Sequence, residues 1–157
     1  MVYMAEVLHL FVAPLHGSPM KEVEEAEAVV GKGLAGCMHG RPGKRQVLLM
    51  DSETLEMLGI RPGGVKENIT TRGLDLGTLS PGGTLRIGTA LFEITVPCEP
   101  CSLMDEIRDG LQNQLLGRRG WLMRVTGAGY LRRGDRIDLL PPRQEESWKQ
   151  ERIGNQC

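Results

Sequence analysis

Twenty-one glycines are scattered through 157 residues, and between them the apolar residues come in short runs. Few folds accommodate that pattern. Short strands joined by tight turns suit it well. Val7–Val12, Gln46–Met50, Thr84–Ile87, Ala90–Val96, Trp121–Val125 and Arg136–Leu140 read as strands. Arg61-Pro62-Gly63-Gly64, Ser80-Pro81-Gly82-Gly83, Thr126–Gly129 and Arg133-Gly134-Asp135 read as turns. Gly88-Thr89 predicts a two-residue hairpin into Ala90–Val96, where Phe92, Ile94 and Val96 share one face. Lys21–Val30 is compatible with helix or strand, and Gly31–Gly40 is a glycine-rich loop whose backbone could approach a ligand or simply connect.

Two helices are predicted. Asp51 or Ser52 caps the first, which runs through Leu55 and Leu58 and stops at Gly59. Leu103, Ile107, Leu111 and Leu115 recur every four residues and predict a second helix ending at Gly117. The expected fold is mainly β, a closed or partly closed barrel with a few flanking helices, because an open sheet of short strands leaves exposed edges. One domain over residues 1–142 is expected. Beyond it, residues 143–157 are polar and read as a disordered tail whose deletion should leave folding intact.

Charge is balanced, 19 basic against 20 acidic residues, and aromatics make up 4%, which argues against a nucleic-acid partner. No segment is apolar and long enough to span a membrane, and the start of the chain lacks the basic residues of a signal peptide. Four cysteines without framework spacing suit free thiols in the cytoplasm. The chemistry concentrates at Val96-Pro97-Cys98-Glu99-Pro100-Cys101-Ser102, between the best strand and the best helix pattern. Continuing the period of two places Cys98 in the core with Phe92, Ile94 and Val96. Cys101 falls at the helix start, where unpaired N–H groups favour a thiolate. Cys98 is therefore expected to be inert and Cys101 reactive. Both thiols serving only as small core residues is the competing reading.

Several motifs occur in a fixed order. Gly33-Leu34-x-Gly36-x-x-His39 comes first, then Val47-Leu48-Leu49-Met50-Asp51, Pro62-Gly63 and Glu67-Asn68-Ile69-Thr70-Thr71-x-Gly73-Leu74-Asp75-Leu76. Leu85-x-Ile87-Gly88-x-Ala90, Pro100-Cys101, Gly117-Arg118-x-Gly120 and Gly134-Asp135 follow. From Val7 to Leu140 this succession resembles the MOSC domain, named for the C-terminal domain of molybdenum cofactor sulfurase, in its small stand-alone form. The resemblance implies a barrel-like β fold and association with the molybdenum cofactor (molybdopterin). It also implies a sulfur-carrier or molybdenum-ligand role for Cys101. In larger relatives the matching thiolate ligates molybdenum during reduction of N-hydroxylated substrates, with a separate electron donor. Sulfur would arrive as a persulfide from a pyridoxal-phosphate-dependent cysteine desulfurase, and a molybdoenzyme is the other implied partner. Cys37 stands where many relatives carry an acidic residue.

On this reading Asn68, Arg72, Arg118, Arg124 and His39 are the candidate cofactor-binding residues. Arginine matches phosphate by its fork geometry, and asparagine offers donor and acceptor to a pterin edge. Taken singly, each arginine could equally be a solvated surface charge. Asn68→Ala is expected to weaken cofactor retention at a stability cost below about 1 kcal/mol. A small zinc protein using Cys37, His39, Cys98 and Cys101 is the alternative, since four ligands is the number zinc prefers.

Overall fold

The computed structural model describes residues 4–141, so the tail expected over 143–157 lies outside the described residues. The strands are β1 (Glu6–Val12), β2 (Lys21–Val23), β3 (Glu25–Val29), β4 (Gly33–Leu34), β5 (Val47–Asp51), β6 (Ile69–Arg72), β7 (Thr84–Ile87), β8 (Ala90–Pro97), β9 (Trp121–Gly127), β10 (Gly129–Arg132) and β11 (Ile137–Leu139). Among the described residues three short α-helices accompany them, α1 (Ser52–Met57), α2 (Leu103–Ile107) and α3 (Leu111–Gln114), with one turn of 3-10 helix at Leu76–Thr78. The protein is mainly β, as expected. No helix among the described residues is long and apolar enough to cross a membrane.

Eight strands form one sheet in the order β11-β7-β8-β9-β5-β6-β1-β2, and β10-β3-β4 form a second. The ambiguity over Lys21–Val30 resolves to strand. Ala26 and Ala28 face the core while Glu25 and Glu27 face water, a period of two. The large sheet does not close into a barrel as a continuous ladder. Among the described residues β11 and β2 remain its two edges, and a bridge between Glu6 of β1 and Arg136 joins β1 to the approach to β11. Flanking bonds from Val7 N to the Asp135 carbonyl and from Ile137 N to the Ala5 carbonyl, each 2.8 Å, reinforce that bridge. The sheet thus curls until β1 reaches the approach to β11, while most of the β11 edge pairs with no further strand among the described residues.

β5 is the centre of the sheet and is apolar at every position from Val47 to Met50, because both its faces are covered. Val47 and Leu49 join the main core with Leu10, Ile69, Phe92, Ile94 and Met123. On the other face, Met50 packs with Leu55, Val65, Met104, Leu111 and Leu115 from the helical side. Asp51 caps α1 by accepting from Thr54 N at 3.0 Å, and Gly59 takes φ +70° just beyond it, matching the expected start and stop.

The second predicted helix is broken. Arg108 is extended and Gly110 takes φ +81°, so the chain turns between α2 and α3. The reason lies in packing. A straight helix would bury Leu103, Ile107, Leu111 and Leu115 on one stripe. The break instead buries Leu111, Leu115 and Met104 and leaves Leu103 and Ile107 exposed.

Candidate functional site

The expectation that Cys98 continues the Phe92–Ile94–Val96 face is corrected by a β-bulge. Ile94 pairs with Met123 and Val96 with Leu122, two steps on β8 against one on β9. The Thr95 hydroxyl, at the extra residue, donates to the Leu122 carbonyl at 2.9 Å. Neighbouring residues on β9 face opposite sides, so Val96 and Cys98 move to the side of Leu122 and Leu48, away from Phe92 and Ile94. Cys98 is buried, as expected, but on the face that lines a cleft.

That cleft, about 870 Å³, lies between the outer face of β5 and β9, the segment from Met38 to Arg45, and α2. Both Cys98 and Cys101 line it, with Cys98 buried and Cys101 exposed. Its charge is strongly biased. Arg41, Arg45, Lys66 and Arg119 line it against one carboxylate, Glu106. Such a surface favours an anion.

Two of these cations, Lys66 and Arg119, are positioned by the local structure. Glu67 is fully buried and accepts from Gly63 N at 2.8 Å, Val65 N at 3.3 Å and the Thr70 hydroxyl at 2.8 Å. This ties the 63–67 loop into a tight turn and holds Lys66 at φ +66°, a left-handed conformation unusual for a side-chain-bearing residue. Arg119 folds inward because Gly120 follows it. Gly120 takes φ +92°, and a Cβ there would sit 2.0 Å from the Leu49 carbonyl oxygen, so only glycine lets the chain enter β9 this close to β5. The Arg119 guanidinium donates to Cys98 Sγ and to the Val65 carbonyl, both at 2.8 Å. Burial pushes the Cys98 thiol above its ordinary value, and the positive charge of Arg119 offsets part of that rise. His39 is half-buried, and burial first, then Lys66, His16 and Arg41, lower its pKa below the ordinary 6.5. It is therefore a neutral imidazole at pH 7, able to donate or accept a hydrogen bond.

Of the expected site residues, the cleft gathers His39, Asn68 and Cys101. Asn68 is largely engaged by the protein itself. Its Oδ1 accepts from Leu48 N at 3.0 Å, and its Nδ2 donates to the Phe11 carbonyl at 3.1 Å and to Cys37 Sγ at 3.4 Å. Arg72 is exposed and pairs with Glu6 at the end of β6. Arg124 pairs with Glu93 across β8 and β9, beside a different cavity. Arg118 is exposed and is not among the cleft-lining residues. Sequence reasoning missed Arg41, Arg45, Lys66 and Arg119. The Arg118-Arg119 pair signals a cation at that turn but not which of the two folds inward; nothing local marks the others.

Cys37 is buried, and its Sγ accepts from Ala13 N and from Asn68 Nδ2, both at 3.4 Å. It supplies an acceptor to two N–H groups. Among the described residues no three His, Cys, Asp or Glu side chains stand together as a metal site, so the four-ligand zinc arrangement is not formed.

Fold and cleft together define a β protein with an accessible thiol in a basic, anion-favouring pocket. The sequence model of the MOSC domain matches residues 15–138, and the chain belongs to that family, which is associated with molybdenum-cofactor-related functions. Solved structures agree on the fold. The YuaD protein of Bacillus subtilis superposes with a TM-score of 0.72 at 19% identity, over 85% of this chain and 94% of its own. YiiM of Geobacillus stearothermophilus gives 0.71 at 20% identity, over 87% of this chain and 75% of its own. YiiM of Escherichia coli gives 0.68 at 20% identity, over 91% and 71%. Comparison with curated proteins returned no match.

Proposed function

We propose that the cleft binds the molybdenum cofactor and that Cys101 acts there as a thiolate, as sulfur carrier or as molybdenum ligand. The observation that carries this reading is the exposed Cys101 thiol in a cleft lined by Arg41, Arg45, Lys66 and Arg119. The residues present suit the group. Phosphate on the pterin calls for guanidinium and ammonium donors, and the buried Arg119 Nε has no partner among the described residues. Thiolate sulfur is a fitting ligand for a soft metal centre. When bound, the cofactor would supply a molybdenum centre capable of accepting sulfur or exchanging electrons.

The chain's own contributions divide by position. Arg41, Arg45 and Lys66 attract and hold the anionic end. His39, neutral at pH 7, offers a hydrogen bond that becomes charge-assisted if it gains a proton beside the phosphate. Cys101 holds a persulfide sulfur received from a pyridoxal-phosphate-dependent cysteine desulfurase, for delivery to a molybdoenzyme, or binds the metal directly. Asn68 shapes the cleft wall by joining β1, β5 and the Cys37 loop.

The test is purification under reducing conditions from a host that makes the cofactor, followed by pterin fluorescence and molybdenum analysis. Wild-type protein should carry both. Cys101→Ser should keep the pterin and lose molybdenum or persulfide sulfur, and Arg41→Ala with Arg45→Ala should lose the pterin. Folded wild-type protein carrying no pterin, no molybdenum and no sulfane sulfur would sink the proposal.

A further inference from the structure

We propose that Cys98 is a resolving thiol for Cys101. When Cys101 carries a second sulfur, Cys98 attacks the Cys101 Sγ, closing a disulfide within the cleft and releasing the carried sulfur as hydrosulfide. This rests on the reading of Cys101 as a sulfur acceptor.

The observation behind it is the environment of Cys98. Arg119 is 8% exposed, and one of its two bonds goes to Cys98 Sγ at 2.8 Å. Placing a guanidinium out of water against a neutral thiol is costly, and an apolar side chain would fill the space without that penalty. The cation gains most when the thiol gives up its proton. Its Nε–H has no partner among the described residues, so the guanidinium keeps a donor in reserve. Arg119 thus assists the buried sulfur at the moment it becomes a nucleophile, while burial keeps that sulfur protonated and away from external reagents the rest of the time.

The two thiols divide the work by exposure. Cys101 is exposed and meets the sulfur donor; Cys98 lines the same cleft from inside. Cys98 N donates to the Gly120 carbonyl at 2.9 Å, clamping its backbone to the entrance of β9. Residues 99–101 belong to no helix or strand, so Cys101 is the partner with room to approach. The two cysteines are three positions apart and line the same cleft, and closing the disulfide requires the 99–101 segment to bend until their Cα atoms lie roughly 4.4–6.8 Å apart.

The step balances. The Cys98 thiol loses its proton to solvent and its sulfur forms a bond to Cys101 Sγ. The sulfur–sulfur bond of the persulfide breaks, and the outer sulfur leaves as HS⁻ with the electron pair. Two thiol sulfurs are oxidised to a disulfide and one sulfane sulfur is reduced to sulfide. A glutathione-class thiol then reduces the disulfide and resets the pair.

The test loads fully reduced full-length protein with inorganic polysulfide under anaerobic conditions and removes the excess by desalting. It then follows released sulfide and the mass of the peptide holding both cysteines. Wild type should lose the added sulfur, release one equivalent of sulfide and end two hydrogens lighter than the dithiol. Cys98→Ala should hold the persulfide at least about tenfold longer. If wild type holds it as long as Cys98→Ala, with Cys98 still free after denaturation, the resolving role is wrong while Cys101 remains an acceptor. If Cys98→Ala takes up no sulfur at Cys101, the carrier reading itself fails. Diamide oxidation then decides on the thiol pair alone: a Cys98–Cys101 disulfide supports it, and two free thiols overturn it.

Discussion

Replacing Asn68 with alanine separates a structural amide from a ligand-binding one. The amide joins three segments of chain. Its Oδ1 is the acceptor for Leu48 N at 3.0 Å, and Nδ2 bonds the Phe11 carbonyl and the Cys37 thiol. Asn68, Leu48, Phe11 and Cys37 are all buried. Alanine would leave the Leu48 N–H facing β6 with no acceptor. An orphaned buried donor costs about 1–3 kcal/mol, and loss of the remaining neutral bonds adds about 1 kcal/mol. The expected total is roughly 2–4 kcal/mol. For a chain of this size that is a fall in Tm of roughly 5–15 °C. The structure therefore raises the cost well above the value below about 1 kcal/mol expected from the residue's sequence context. Urea denaturation followed by circular dichroism, with the slope m checked for constancy, gives the number directly. A loss under about 1 kcal/mol, accompanied by loss of bound cofactor, would refute this reasoning and restore Asn68 as a recognition residue.

Alkylation by iodoacetamide, read by peptide mass spectrometry, should label Cys101 ahead of Cys37 and Cys98 in native protein, with those two reacting only after unfolding; early labelling of Cys98 would contradict its burial. Gly120→Ala should prevent stable folding, since its Cβ would meet the Leu49 carbonyl at 2.0 Å, and an unchanged melting curve would refute the close approach. The His39 imidazole should titrate below 6.5 by NMR and move upward when inorganic phosphate is added. Because its folded pKa is lowered, it supports the fold above pH 6.5 and that support is lost as pH falls toward its folded value. Cys98 runs the other way. Its folded pKa lies above 9.0, so stability should fall as pH rises past the value at which the unfolded thiol ionises, and Cys98→Ala should flatten that slope.

Much of this protein was legible in its sequence because the signals were local. Alternating and apolar runs between glycine-rich turns specified a mainly β fold, and Asp51 and Gly59 marked the ends of α1. The ordered motifs identified the MOSC family, and Pro100-Cys101 marked the exposed thiol. What only the tertiary structure decided depended on partners distant in the chain. The bulge opposite Leu122 sent Cys98 to the cleft face rather than the main core, and no periodicity within β8 contains the register of β9. Packing against Met50 and Leu55 broke the second helix, leaving Leu103 and Ile107 exposed. Arg119 rather than Arg118 entered the cleft because Gly120 lies against Leu49, seventy-one positions earlier. Arg72 and Arg124 found Glu6 and Glu93 across neighbouring strands instead of a ligand. Local chemistry sets the type of each element, whereas the face a side chain finally occupies is set by strand register and by which distant surface it must cover.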